Sequence, residues 1–188
     1  MQNCQTRKLT DCKHVNLFSI EYRDRNDRDK SWIYASRKVN PSEQGRADAV
    51  IIVPFHARDE KLVIIKEFRV VLGGYQYGFP AGLVDPGETV VQAGTRELRE
   101  ETGLTLTKVL RESPPVYSSS GLTDESVSLL HAECDGVPSR RFNESSEDIE
   151  VLMVSRKEAA NLIKEPDLKF DVKTWIILNS YALNGTLC

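Results

Sequence analysis

One stretch of 23 residues, Gly82 to Leu104, constrains this chain more than any other: GLVDPGETVVQAGTRELREETGL. The turn Asp85-Pro86-Gly87 ends any strand that precedes it. Residues from about Thr89 to Thr102 tolerate helix, and Gly103 is a natural stop. Glu97 and Glu101 stand four apart and share one helical face, with Glu100 beside them at a spacing of three from Glu97. Carboxylates at such spacings repel by roughly a few tenths of a kcal/mol per pair. A hard divalent cation reverses that sign, because Mg²⁺ takes oxygen ligands and binds carboxylates together with substrate phosphates.

A solvated surface helix laced with glutamate and arginine would account for these charges alone, but not for the loop ahead of them. The spacing G-x5-E-x7-R-E-U-x-E-E-x-G-U, with U aliphatic, is met at all nine defined positions, and chance agreement at that many is negligible. The stretch resembles the Nudix box, and the chain is similar to Nudix hydrolases. That resemblance implies cleavage of a nucleoside diphosphate linked to a further group, with Mg²⁺ or Mn²⁺ on the box glutamates. It also implies an α+β fold in which a mixed sheet is sandwiched between helices.

The 188 residues suit one domain with room for a small appendage, and they are enough to bury a proper core. A net charge of −3 without a basic run argues against a nucleic-acid surface, though a few arginines can still hold a small phosphate ligand. Cys4, Cys12, Cys134 and Cys188 form no C-x-x-C pair, which speaks against zinc. The polar start MQNCQTRKLTDCKH has no signal-peptide core, and no apolar run approaches the ~20 residues of a membrane span. The expectation is a cytoplasmic protein with reduced thiols and no membrane partner.

Along the chain, His14–Arg23 and Ser31–Val39 read as two strands of a hairpin joined by the charged turn Asp24–Lys30. Asn40–Gly45 reads as a linker, so the expected division is an N-terminal β-sheet region over 1–45 and a main domain over 46–188. Ala47–Phe55 and Lys61–Phe68 are apolar strands, and Leu72–Ala81 leads into Gly82. After the helix come strands at Leu106–Arg111, Ser126–Cys134 and Ile149–Val154, with a loop over Ser113–Asp124 and another over Asp135–Ser146. Helices are expected over Arg156–Lys164 and Asp171–Leu183.

The likeness reaches beyond the box. KEFR, LGGY and FPAGLVDPGET, the Trp32 and Arg37 spacing, Ser113-Pro114, Ser119–Thr123 and Glu147–Val151 all resemble the ADP-ribose and ADP-sugar pyrophosphatase branch. Two positions depart from it. Gly78 stands where the branch usually has Glu, and Ser119 and Ser120 stand where it usually has a Pro associated with ADP-ribose. ADP-ribose is therefore the first candidate substrate, with GDP-mannose or another nucleoside diphosphate sugar as the alternative. A ligand-sensing module without turnover is a third reading, against which the intact carboxylate set argues.

The resemblance implies roles for particular residues. Glu97, Glu100 and Glu101 would hold the metal, with the Ala81 carbonyl as a backbone ligand. Arg96 and Glu88 would keep the carboxylates in register, and Glu88 also suits a helix start. Glu147 would be the general base, with Glu144 the runner-up; read as residues alone, both belong to a solvated acidic loop. Arg69 and Arg37 are candidate phosphate clamps by resemblance and ordinary surface arginines otherwise. Trp32 would stack on the nucleotide base or, equally, pack within its hairpin. His14, His56 and His131 lack ligand spacing and read as structural. The resemblance also implies a homodimer in which the N-terminal strands contribute Trp32 and Arg37 to the partner's site.

Overall fold

The computed structural model describes residues 3–41, 45–143, 145 and 147–185. Part of the expected linker (42–44) and Glu144 lie outside them. In chain order the first strands are β1 (Asn3–Lys8), β2 (Asn16–Arg23), β3 (Asp29–Ser36), β4 (Ala49–His56), β5 (Lys61–Arg69), β6 (Gly74–Gly78) and β7 (Ala81–Leu83). They are followed by helix α1 (Val90–Thr102) and by β8 (Thr105–Glu112), β9 (Val116–Tyr117), β10 (Ser126–Asp135) and β11 (Ile149–Val154). The chain ends in α2 (Arg156–Leu162), β12 (Lys169–Phe170) and α3 (Val172–Asn184).

Two compact units result, one of Met1–Asp48 with Pro115–Val127, the other of Ala49–Pro114 with Ser128–Cys188. In the first, β1, β2 and β3 form an antiparallel sheet in that order. Two of these strands match the expected hairpin; β1 is an addition. Its residues NCQTRK carry no apolar alternation, and it is held by backbone pairing to β2 from Asn3↔Tyr22 to Lys8↔Phe18. The β2–β3 register sets Phe18 opposite Tyr34, both buried, with ring centroids 5.8 Å apart. Residues alternate across a strand, so Leu17 and Ile33 fall on the other face, and both are exposed. The expected loop over Ser113–Asp124 contains β9, which pairs with Ser126 and Val127.

In the second unit the sheet runs β12-β6-β5-β4-β10-β8, with β11 paired to β5 and β7 to β4. The β6–β12 pair is parallel and β5–β6 antiparallel, which makes the sheet mixed. Leu62 to Ile65 of β5 and Val50 to Val53 of β4 are buried in succession, so these strands are covered on both faces. α1 lies against them: Ala93 and Leu98 pack with Val50, Ile52, Val63 and Leu130. Gly94 permits the close approach, because a Cβ there would come within 2.5 Å of Leu130 Cδ2. Thr89 caps the helix in a box with Gln92, an arrangement worth about 1 kcal/mol. Gly103 ends it in the left-handed conformation, φ 73°, with its N–H donating to the Arg99 carbonyl.

The remaining elements depart little from expectation. The Leu72–Ala81 segment divides into β6 and the start of β7, preceded by a single 3₁₀ turn at Val70–Leu72. β12 was not foreseen; two residues are too few to carry a periodic signal. α2 and α3 pack on each other, capped by Ser155 and Asp171. His56 is buried, with Nε2 3.0 Å from the Gly136 carbonyl, a structural tie between two turns. Among the described residues no helix is long and apolar enough to cross a membrane.

Candidate active site

The loop between β7 and α1 is closed by one arginine. Arg96 donates from Nε to Glu88 Oε1 at 3.0 Å and from Nη2 to Glu88 Oε2 at 2.9 Å, a paired contact. Nη2 also reaches the Leu83 carbonyl at 3.0 Å, and Nη1 reaches Glu97 Oε1 at 2.6 Å and Glu100 Oε2 at 3.3 Å. Glu88 Oε2 in turn accepts the Asp85 N–H at 3.2 Å. The turn, the loop acid and two helix acids are thus fastened to a single cation. The Glu88 hydrogen bonds lead in raising the pKa of Arg96, so its charge is permanent.

The two carboxylates of the helix face are treated differently. Burial pushes Glu97 above the usual carboxyl range, although the Arg96 hydrogen bond and charge oppose the shift. Glu101 is only 5% exposed, and burial pushes its carboxyl up to about 9. The Ala81 N–H donates to Glu101 Oε2 at 3.0 Å and opposes that shift, while the charges of Glu97, Glu67 and Glu147 add to it. Glu100 is the exposed member, with 45% of its side chain open to solvent.

Gly82 is required for the same geometry. A Cβ at that position would stand 1.9 Å from Glu97 Oε1 and 2.0 Å from Glu97 Cδ, so any side chain would displace the carboxylate. The backbone strand β7 is therefore pressed directly against the acids of α1. Desolvated carboxylates, a backbone edge and a glycine cradle form an oxygen-rich donor set of the kind Mg²⁺ prefers. Among the described residues, no three His, Cys, Asp or Glu side chains form a metal-holding group as they stand. Glu97 and Glu100 are turned to Arg96, and Glu101 is turned to Ala81.

Glu147, just before β11, belongs to this neighbourhood. Its charge raises Glu67, Glu97 and Glu101 alike, which puts it within the field of the α1 acids. The other acids near it are engaged elsewhere: Asp148 accepts from Tyr75 Oη, and Glu150 pairs with Lys66 at 3.2 Å. Glu144 lies outside the described residues.

Glu67 of β5 was missed by sequence reasoning. It is largely buried, and burial pushes it above the usual carboxyl range against the pull of Arg69. Arg69 Nη1 stands 2.8 Å from Glu67 Oε1, so the candidate phosphate clamp is already paired within its own strand. The only signal was the acid inside KEFR at the end of an apolar run, a position where a charge is costly unless partnered.

The two remaining candidates sit in the first unit. Trp32 is 51% exposed, and its Nε1 donates to the Gly121 carbonyl at 3.2 Å. Arg37 pairs with Glu125 at 3.3 Å. In the second unit, a cavity of about 540 Å³ opens beside α1, lined among others by Arg96, Arg99, Glu100 and Phe142. Arg99 lies over the Phe142 ring at 5.1 Å.

The site is thus a carboxylate-bearing helix and its preceding loop set against a mixed sheet in an α+β fold. A solved structure of an ADP compounds hydrolase has this fold, with a TM-score of 0.75 and 20% identity over 100% of this chain and 96% of that one. Residues 45–176 match the NUDIX domain, and the chain belongs to that family. Among curated relatives, an ADP-ribose pyrophosphatase of Saccharomyces cerevisiae is 32% identical over 133 residues, 69% of this chain and 56% of that protein. The ADP compounds hydrolase NudE of Escherichia coli is 44% identical over 77 residues, 38% of this chain and 40% of that protein. The chain spans less than two thirds of the length of either relative.

Proposed function

We propose that the protein is a Mg²⁺-dependent hydrolase of a nucleoside diphosphate sugar, with ADP-ribose, cleaved to AMP and ribose 5-phosphate, as the first substrate. The observation that carries this reading is Glu101: a carboxyl buried to 5% exposure, pushed up to about 9, in the field of Glu67, Glu97 and Glu147. Such a concentration of acids is costly without a cation and becomes favourable with one. Glu97, Glu100 and Glu101 would hold the ion together with the Ala81 carbonyl; Mn²⁺ suits the same donors. Bound there, the ion would supply positive charge beside the diphosphate.

The chain's own residues do the rest. Arg96 holds Glu97 and Glu100 in place and ties them to the Glu88 loop. Arg69, paired with Glu67 in β5, would serve as a phosphate clamp by exchanging that carboxylate for a phosphate oxygen. Glu147 takes the proton of a water whose oxygen bonds to one phosphorus as the bridging P–O bond breaks. The name of the yeast relative supports ADP-ribose, and that of the bacterial relative supports an ADP compound. Gly78 and Ser119–Ser120 support a different sugar nucleotide, such as GDP-mannose, as the alternative.

The reading extends to a homodimer whose N-terminal sheet brings Trp32 and Arg37 to the partner's substrate. The exposed Leu17 and Ile33 face supports an interface there, since an apolar sheet face favours cover. The free Cys12 and Cys134 suit a reducing cytoplasm. A panel of nucleoside diphosphate sugars incubated with Mg²⁺ and read by mass spectrometry tests the activity. AMP and ribose 5-phosphate from ADP-ribose are expected, and no Mg²⁺-dependent cleavage of any member would sink the enzyme reading. Light scattering tests the assembly: a clean, fully active monomer of 21.2 kDa would defeat the shared site.

A further inference from the structure

The edge of the sheet that carries Glu147 has two faces, and the face away from the carboxylates is built as a latch. β5 lies between β6 and β11, with Phe68 opposite Tyr75 on one side and Lys66 opposite Glu150 on the other. Period-two alternation gathers Lys66, Phe68, Tyr75, Asp148 and Glu150 on one face. Glu67, paired in register with Ile149, turns to the other face with Glu147.

On the latch face every side chain is committed. The Tyr75 phenol crosses β5 and donates to Asp148 Oδ2 in a short hydrogen bond. Lys66 Nζ stands 4.8 Å over the Tyr75 ring and 3.2 Å from Glu150 Oε2. Phe68 meets the same ring edge-on, with centroids 5.5 Å apart. The backbone repeats the connection, because the Phe68 N–H donates to the Asp148 carbonyl at 3.0 Å. Asp148 is therefore held by side chain and main chain at once, and Glu147 leaves the backbone at the residue just before it. A carboxylate one residue from a doubly held point has few directions open to it.

We propose that Tyr75 is a positioning residue: through Asp148 it sets the strand end from which Glu147 reaches the α1 carboxylates. The proposal rests on Glu147 acting as the base, and Tyr75, on the face of β5 opposite Glu67, would act through Asp148 alone. The angle of a reacting group matters steeply, and losing a partner that orients such a group typically costs ~10–100-fold.

The test combines kinetics with amide exchange on the full chain. Tyr75→Phe keeps the ring over Lys66 and deletes only the hydroxyl. It should lower kcat about tenfold and leave KM within about twofold, because substrate contacts are untouched. Asp148→Ala should match it, the double variant should be no worse than either, and Asp148→Asn, which still accepts from the phenol, should recover most of the rate. Exchange at the amides around Glu147–Glu150 should quicken several-fold in Tyr75→Phe. Unchanged kcat and exchange, additive losses in the double variant, or a loss confined to KM would overturn the proposal. The exchange arm reads the latch even if the unaltered protein cleaves nothing in the substrate panel. In that case quicker exchange upholds the latch and the failure belongs to the assigned reaction, while unchanged exchange overturns the latch as well.

Discussion

Glu97 and Glu101 are one turn apart on α1, yet they belong to two differently prepared regions. On the side of the Asp85–Glu88 loop, Arg96 binds Glu88, Glu97 and Glu100 and supplies the positive charge from within the protein. On the side of β5 and β11, burial raises Glu101 and Glu67, the charge of Glu147 adds to both shifts, and the opposing groups are the Ala81 N–H at Glu101 and the half-exposed Arg69 at Glu67. The first region carries its own cation, which opposes but does not cancel the rise that burial gives Glu97. The second is an electrostatic debt that a divalent ion or an arriving substrate would settle. The difference teaches where to look for function on a helix of repeated acids: the informative glutamate is the one the protein has buried without its own cation.

Four experiments separate the two regions. The largest effect is expected for Glu101→Gln, which keeps the shape and removes the charge. Activity with Mg²⁺ should fall by orders of magnitude while the metal-free protein at neutral pH melts no lower than the original, because the amide is neutral without the proton uptake that burying Glu101 requires. Near-normal turnover would sink the metal assignment. Glu147→Gln comes next: kcat should drop ~10²–10⁴-fold with a much smaller change in KM. If the mirror substitution Glu144→Gln shows that pattern instead, the base has been assigned to the wrong residue.

Arg96→Gln probes the side that carries its own cation and should reverse the signature. Removing one cation from several acids leaves Glu88 and Glu97 uncompensated, so about 1–3 kcal/mol of stability should be lost, visible in denaturant midpoints. A melting point equal to the original would show that Arg96 is not scaffold.

The smallest effect is a pH dependence of the metal-free protein. Above the ordinary carboxyl range and up to about 9, the folded chain keeps a proton on Glu101 that the unfolded chain has released. Unfolding then sheds a proton, and stability falls as pH rises through that window. Below it both forms are protonated and the slope disappears. The raised Glu67 and Glu97 act in the same direction. Saturating Mg²⁺ should flatten the slope by favouring the ionised carboxylates, and Glu101→Gln should flatten it without metal. A metal-free stability that rises with pH between 5 and 9 would contradict the buried-acid account.

Much of this was legible in the residues. α1 was readable because its cap, its acids and its terminal glycine are local signals; it runs from Val90 to Thr102, capped by Thr89 and Gly103. β11 could be bounded at Ile149–Val154 because a short apolar run lay between polar loops. β1 and β12 were not readable, since polar or two-residue segments become strands only when a neighbour supplies the backbone partners.

By itself, then, the sequence determined the elements whose information is local and the family to which the nine-position box and residues 45–176 belong. It determined which acids share the face of α1, because helical spacing converts directly into direction. Which of them is buried without a cation came from the packing of distant segments. Burial and field depend on residues far apart in the chain: Ala81 and Glu67 against Glu101, Gly82 against Glu97, Tyr75 against Asp148. Those pairings are products of strand order, and strand order is settled by the packing of the whole sheet rather than by any stretch of it.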